Sequence, residues 1–137
     1  VQKPRTVAFI GLNPSTADET QDDPTIRRCR AFACSWGYDN LVMLNLFAYR
    51  ATRPADMKAA ADPIGPDNDW HLLDACMRAD LIVAAWGSHG SFWNRDVSLR
   101  KLLGRCQLHY LRLTKDGHPA HPLYLPGWLK PTFWSAQ

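Results

Sequence analysis

The residues of this chain with the most chemistry to offer fall within or just after apolar runs. Gly11-Leu12-Asn13-Pro14-Ser15 follows the run 7–10, Asn45 interrupts the run 41–47, Gly87-Ser88-His89-Gly90 follows the run 81–86, and His118 and His121 lie in the proline-rich stretch 114–128. An amide offers a donor and an acceptor and orients water without taking its proton, whereas an imidazole exchanges a proton near neutrality. Apolar β runs that break into Gly or Asn-Pro turns present such groups at the carboxyl ends of strands, the edge at which open α/β sheets bind ligands. Each residue also has a plainer reading. Asn13 can be a turn residue bonded to backbone, Asn45 a satisfied core amide, and His121 a loop histidine packed between prolines. Trp86 and Trp93 fall close enough to these turns to stack on a flat ligand, and Arg50 and Arg53 are the basic residues best placed for a phosphate. His71, His89 and His109 read as structural or surface residues.

These groups need elements to position them. The run 7–10 predicts a buried first strand. Asp23 as N-cap and Pro24 at the first helical position predict a helix in which Ile26, Cys29, Phe32, Ala33 and Trp36 recur at three- and four-residue steps. Gly37 ends it, and Arg27, Arg28 and Arg30 are its exposed face. The run 41–47 is continuous enough for a strand buried on both faces. Residues 48–66 read as a long surface loop with a short helical piece around 56–61. Trp70, Leu73, Cys76 and Met77 mark a helix over about 67–79, followed by a third strand at 81–86. A helix over about 91–104 has Val97, Leu99, Leu102 and Leu103 as core positions, and the mixed polarity of 108–113 suits a fourth strand at a sheet edge. The prolines of 114–128 predict a loop. The expected fold is α/β, one domain over 1–137: a three-layer αβα sandwich around a small, mainly parallel four-stranded sheet.

Composition narrows the classes. With 46% hydrophobic and 21% charged residues the chain is ordinary globular material, and it has neither a run long enough to cross a bilayer nor a visible N-terminal targeting segment. A cytoplasmic location is expected, with no membrane partner. The net charge of +3 does not by itself imply nucleic acid. Its distribution is uneven, with Arg95, Arg100, Lys101, Arg105, Arg112 and Lys115 set against Asp96 alone, while acids dominate 55–80. Cys29, Cys34, Cys76 and Cys106 fit no zinc-site spacing and read as reduced thiols, with a four-cysteine iron–sulfur site as the alternative. No metal or other cofactor is expected, and nothing identifies a protein partner.

Taken in order, Gly11-Leu12-Asn13-Pro14-Ser15, Leu44-Asn45, Ala85-Trp86-Gly87-Ser88 and His121-Pro122-Leu123-Tyr124-Leu125 resemble the motif series of the uracil-DNA glycosylase superfamily. The fuller run, including Leu-Asn-Pro-Ser-Thr-Ala-Asp from Leu12, Asn-Leu-Phe-Ala-Tyr-Arg-Ala-Thr from Asn45 and Asp-Pro-Ile-Gly-Pro-Asp-Asn-Asp from Asp62, is similar to a bacterial and phage family termed domain of unknown function 1643. The superfamily resemblance implies a pocket for a flipped nucleobase in DNA. It implies that Asn13 positions the attacking water, Asn45 hydrogen-bonds the base edge and His121 stabilises the charge on the departing base, making Asn13 and His121 the catalytic pair. Backbone N–H groups around Ser15 and Ser88 would hold phosphates, Gly11, Pro14, Trp86, Gly87 and Arg50 are further substrate-binding residues, and Leu123, Tyr124 or Leu125 would fill the hole in the base stack. The expected function is a glycosylase-like hydrolase. The alternatives are an enzyme acting on a free or modified nucleotide and a non-catalytic module of the same fold that binds nucleic acid or nucleotide. The chain departs from the pattern in having an amide at Asn13 where active members often carry Asp; Asp18 and Asp22 are the nearby carboxylates that could replace it.

Overall fold

A computed structural model describes residues 3–16 and 23–135. β1 (Thr6–Gly11) lies between β2 (Asn40–Asn45) and β3 (Leu81–Ala84), and β4 (Leu108–Tyr110) follows β3, all four parallel. Parallel strands require crossover connections, which lay helices on both faces of the sheet. The alternation of side chains along β1 divides accordingly. Val7 and Phe9 pack with Cys29, Phe32 and Ala33 of α1 (Pro24–Ser35), while Ala8 and Ile10 join the opposite cluster. That cluster takes Met57 from α2 (Pro54–Lys58), Leu72 and Cys76 from α3 (Asn68–Arg78) and Leu99 from α4 (Arg95–Leu102). Three layers result, each side chain in them contributing roughly 1.5–3 kcal/mol where a large apolar group is fully buried.

The first helix begins where capping chemistry predicts. Asp23 Oδ1 accepts from the Thr25 and Ile26 amides at 2.8 and 3.3 Å, and Pro24 occupies a position that needs no donor. Arg28, read as exposed, is instead partly buried. Its guanidinium lies over the Phe32 ring and donates to the Leu125 carbonyl, which pins the C-terminal loop to α1.

Four further expectations change. The sheet has five strands, because β5 (Thr132–Phe133) pairs antiparallel with β4 through His109↔Phe133 and Tyr110↔Thr132. Two residues are too few to give a periodic signal, and β4 is therefore interior, not an edge. The helix read over 91–104 is broken: Ser88–Asn94 forms a 3₁₀ segment, and Trp93 and Asn94 take φ of 57° and 53° before α4 begins. The break draws Arg95 inward to 3% exposure, where Nε donates to the Leu46 carbonyl at 2.8 Å and a guanidinium nitrogen pairs with Asp69 at 2.6 Å. Val97, read as core, is half exposed as a consequence.

The basic surface is correspondingly smaller than the sequence count, since Arg95 is buried and Arg100 lies 4.0 Å over the Trp134 ring. Cys29 and Cys76 belong to opposite layers of the sheet, so the four cysteines cannot share one cluster. Burial, aided by the Asp23 charge for Cys29 and by Cys106 for Cys76, pushes both thiols up to about 12 and leaves them protonated and inert at neutral pH. No helix among the described residues is long and apolar enough to cross a membrane.

Trp86 closes the core beneath the β3 turn. It is 2% exposed, its ring centroid lies 5.8 Å from that of Trp134, and a methyl group on Gly90 would meet its Cδ1 at 2.2 Å. Gly90→Ala is expected to lower the unfolding free energy by about 1–3 kcal/mol, the usual cost of overpacking. Urea denaturation checks this, and an unchanged midpoint would contradict the packing of Trp86.

Candidate functional site

The carboxyl ends of β1, β2 and β3 open into a cleft of about 1020 Å³, walled by the start of α1 and by the loops that follow β2 and β4. Gly11, Asn13, Pro14, Ser15, Asn45, Arg50, Trp86, Gly87, Ser88 and His121 all line it. Tyr124 does not; it is 90% exposed and lies outside the described lining.

Asn13 is held by its own side chain. Nδ2 donates to the carbonyls of Pro14, Tyr49 and Ala51 at 3.2, 3.3 and 2.9 Å, so the amide joins the β1 turn to the loop after β2. The same seam is closed by the Ala51 amide donating to the Pro14 carbonyl at 3.0 Å and by Arg50 donating to the Ser15 carbonyl at 2.6 Å. Three carbonyl acceptors fix which end of the amide is which, because an oxygen turned toward them would be repelled. Oδ1 is left without a partner among the described residues. The backbone-bonded reading of Asn13 is therefore correct for its nitrogen, and its oxygen is the atom with capacity to hold water or ligand.

Asn45 differs. Register pairs it with Gly11, and a Cβ on Gly11 would meet Asn45 Oδ1 at 3.0 Å, so the glycine gives the amide room to lie over the β1 backbone. Its backbone carbonyl accepts from Asn68 Nδ2 at 3.0 Å, but its side-chain amide has no hydrogen bond among the described residues. A partly buried amide that lines a cleft without a protein partner has its hydrogen-bonding capacity left for water or a ligand.

His121 reaches the cleft at the end of a loop that backbone bonds hold from both sides. Gly87, at φ 73°, donates to the Pro119 carbonyl at 2.8 Å, and Ala120 donates to the Arg112 carbonyl at 2.7 Å. The His121 ring then caps the 3₁₀ turn Pro122–Tyr124, with Nδ1 accepting from the Leu123 amide at 3.2 Å. A nitrogen that accepts cannot carry the proton, so the neutral ring bears it on Nε2. Desolvation holds the imidazole below its ordinary value near 6.5, opposed by the Asp23 carboxylate. At neutral pH His121 is an uncharged Nε2–H donor.

The tryptophans do not serve as stacking platforms in this arrangement. The Trp86 indole is in the core, and Trp93 stacks on Phe92 at 5.1 Å outside the lining. Arg53 is exposed and also outside the lining. The side chains of His71, His109 and His118 do not line the cleft either.

Several lining residues escaped the sequence reading of the site, among them Arg27 and Arg30, read only as the exposed face of the first helix, and Asp23 and His89. Asp23, assigned only as a cap, has its second carboxylate oxygen, Oδ2, turned to the Ser15 hydroxyl at 3.1 Å. His89, read as structural or surface, is exposed and also lines the cleft, with Nδ1 3.0 Å from the Lys58 ammonium. Desolvation and then the Lys58 charge lower its pKa. The pairing of Lys58 and His89 spans 31 residues and left no local signal. Asp18 and Asp22, the suggested carboxylates, lie outside the described residues.

An α/β domain with a cleft at the carboxyl ends of the parallel strands of a mixed sheet is what the fold and site define. Residues 1–123 match the family described as protein of unknown function (DUF1643), and the chain belongs to that family. No curated protein and no solved structure matches the chain.

Two measurements check the geometry of the site. Asn13→Asp places a carboxylate against three carbonyls, and at pH 7 it is expected to cost about 1–3 kcal/mol, the penalty for an unpaired buried polar group. The introduced carboxyl has a raised pKa in the fold, so the loss should shrink as pH falls toward 4; a variant as stable as wild type at pH 7 would contradict the seam. By NMR titration, His121 should protonate below 6.5. A ring lowered in the fold contributes full stability above the unfolded value, and that stability is lost as pH falls through the interval between the unfolded and folded values. A His121 titration at or above the ordinary value would contradict the Nδ1 cap.

Proposed function

We propose that the cleft holds a nucleobase and that the protein is a glycosylase-like hydrolase, cleaving the N-glycosidic bond of a flipped base in DNA. The observation that carries this reading is the Asn45 amide, which lies over Gly11 in the cleft with no hydrogen-bond partner among the described residues. One amide matches the edge of a base, where a donor and an acceptor stand side by side. The four parallel strands with helices on both faces and the motif order along the strand ends support the same reading.

In this reading His121 donates Nε2–H to an oxygen of the departing base as the C1′–N bond lengthens and its electron pair moves onto the base. A neutral donor suits that task, because it strengthens as negative charge develops on its acceptor. Asn13 Oδ1 accepts from a water and directs it at C1′, while the nitrogen end of the same amide stays fixed to the backbone.

A second reading, in which the substrate is a free or modified nucleotide, is favoured by the inward turn of Arg95 and the stacking of Arg100 on Trp134, which reduce the basic footprint available to a duplex.

Base release from single- and double-stranded oligonucleotides bearing uracil, hypoxanthine or 5-hydroxymethyluracil, followed by mass spectrometry, tests the proposal. Wild type is expected to release at least one base, and Asn45→Ala to reduce substrate affinity by about 10-fold or more, a loss of one to a few kcal/mol, without loss of fold. Release from nucleotides alone would select the second reading. Unchanged substrate affinity in Asn45→Ala would overturn both.

A further inference from the structure

We infer that Asp23 is the anion of this reaction: its carboxylate faces the positive charge that develops on the sugar and takes the proton of the attacking water, the step that the Asn13 amide cannot perform. The inference rests on the glycosylase reading above. It starts from the two ends of one carboxylate. Oδ1 accepts from the Thr25 and Ile26 amides, which satisfies the start of α1 and would be sufficient reason for an Asp at this position. Oδ2 is not needed for the cap. It is turned instead to the Ser15 hydroxyl at 3.1 Å, two residues along the turn from Asn13.

Asp23 is the only carboxylate among the described lining residues. Ionised carboxylates have about four acceptor sites, and the three hydrogen bonds found among the described residues leave Oδ2 with one more. The charge is held in place by bonds from α1 and from the β1 turn, so it requires no reorganisation when the sugar becomes cationic. It also lies near the His121 ring, which the same α1 layer holds, and there opposes the lowering of the His121 pKa. The cleft therefore has a neutral hydrogen-bond donor at His121 and, beside Arg27, Arg30 and Arg50 that also line it, a single fixed anion at Asp23 among its described lining residues. That is the polarity needed to part a base, which leaves with an electron pair, from a sugar that loses one.

The step balances without any group beyond water. The C1′–N bond breaks and its electron pair leaves with the base. The water oxygen bonds to C1′ and its proton passes to Asp23 Oδ2, from which solvent removes it. The base, hydrogen-bonded by His121, is protonated by solvent.

Asp23→Asn separates chemistry from folding, because Asn caps a helix as well as Asp does, and Asp23→Ser provides a second neutral cap. Single-turnover base release from the oligonucleotide that wild type cleaves best is measured beside affinity for that oligonucleotide and urea stability. Both variants are expected to lose about 100-fold or more in release rate, as for removal of a proton acceptor, with affinity and stability near wild type. Release within about threefold of wild type in either stably folded variant would overturn the inference and leave the cleft reading intact. If both variants lost stability along with rate, Asp23 would be a cap alone and the inference would fall. Absence of release by wild type from every oligonucleotide in the panel would overturn the glycosylase reading itself, and this inference with it.

Discussion

The cleft depends on one side-chain amide. Asn13 donates to three carbonyls drawn from its own turn and from the loop after β2, and through them two segments more than thirty residues apart in sequence become one wall. The constraint is chemical as well as geometric. Only a donor fits among three carbonyls, so the nitrogen of the amide must face them and its oxygen must face elsewhere. A position that would look catalytically defective for lacking a carboxylate is thus explained by what its nitrogen does for the fold.

The remaining parts of the site are positioned from that wall outward. Gly11 lacks a Cβ, and the Asn45 amide uses the space to lie over the end of β1. Behind it, Asn68 and Arg95 supply donors to the carbonyls of Asn45 and Leu46, so the chain leaving β2 is held from the layer of α3 and α4. On the opposite side, Arg28 and Trp36 of the α1 layer take the carbonyls of Leu125 and Leu129 and fix the loop that delivers His121. Each layer of the sandwich therefore secures one wall of the cleft, and the parallel strands of the sheet set the floor.

Much of this was legible in the sequence because it is written locally. Asp23-Pro24 announces a helix start, Gly37 its end, and the apolar runs around Phe9, Leu44 and Val83 announce buried parallel strands whose polar successors share an edge. What was not legible depends on partners distant in the chain. Thr132-Phe133 becomes a strand only because β4 is there to pair with it, and Arg95 is buried only because the Leu46 carbonyl and Asp69 receive it. The cap signature of Asp23 concealed the direction of its second oxygen. The proximity of Trp86 to the Gly87 turn suggested a stacking surface, but its indole packs into the core layer opposite that of Ala85.

The central claim is that the Asn45 amide and the His121 ring together receive a base. The most direct measurement is NMR of protein labelled with ¹⁵N in its side chains, titrated with free uracil, hypoxanthine and their nucleosides. The account predicts that a base displaying adjacent donor and acceptor groups shifts the Asn45 Nδ2 and His121 Nε2 resonances together, with one saturation curve, while the Asn13 Nδ2 resonances stay in their backbone-bonded environment. Titration of every base without movement of Asn45, or movement confined to resonances outside the cleft, would contradict it.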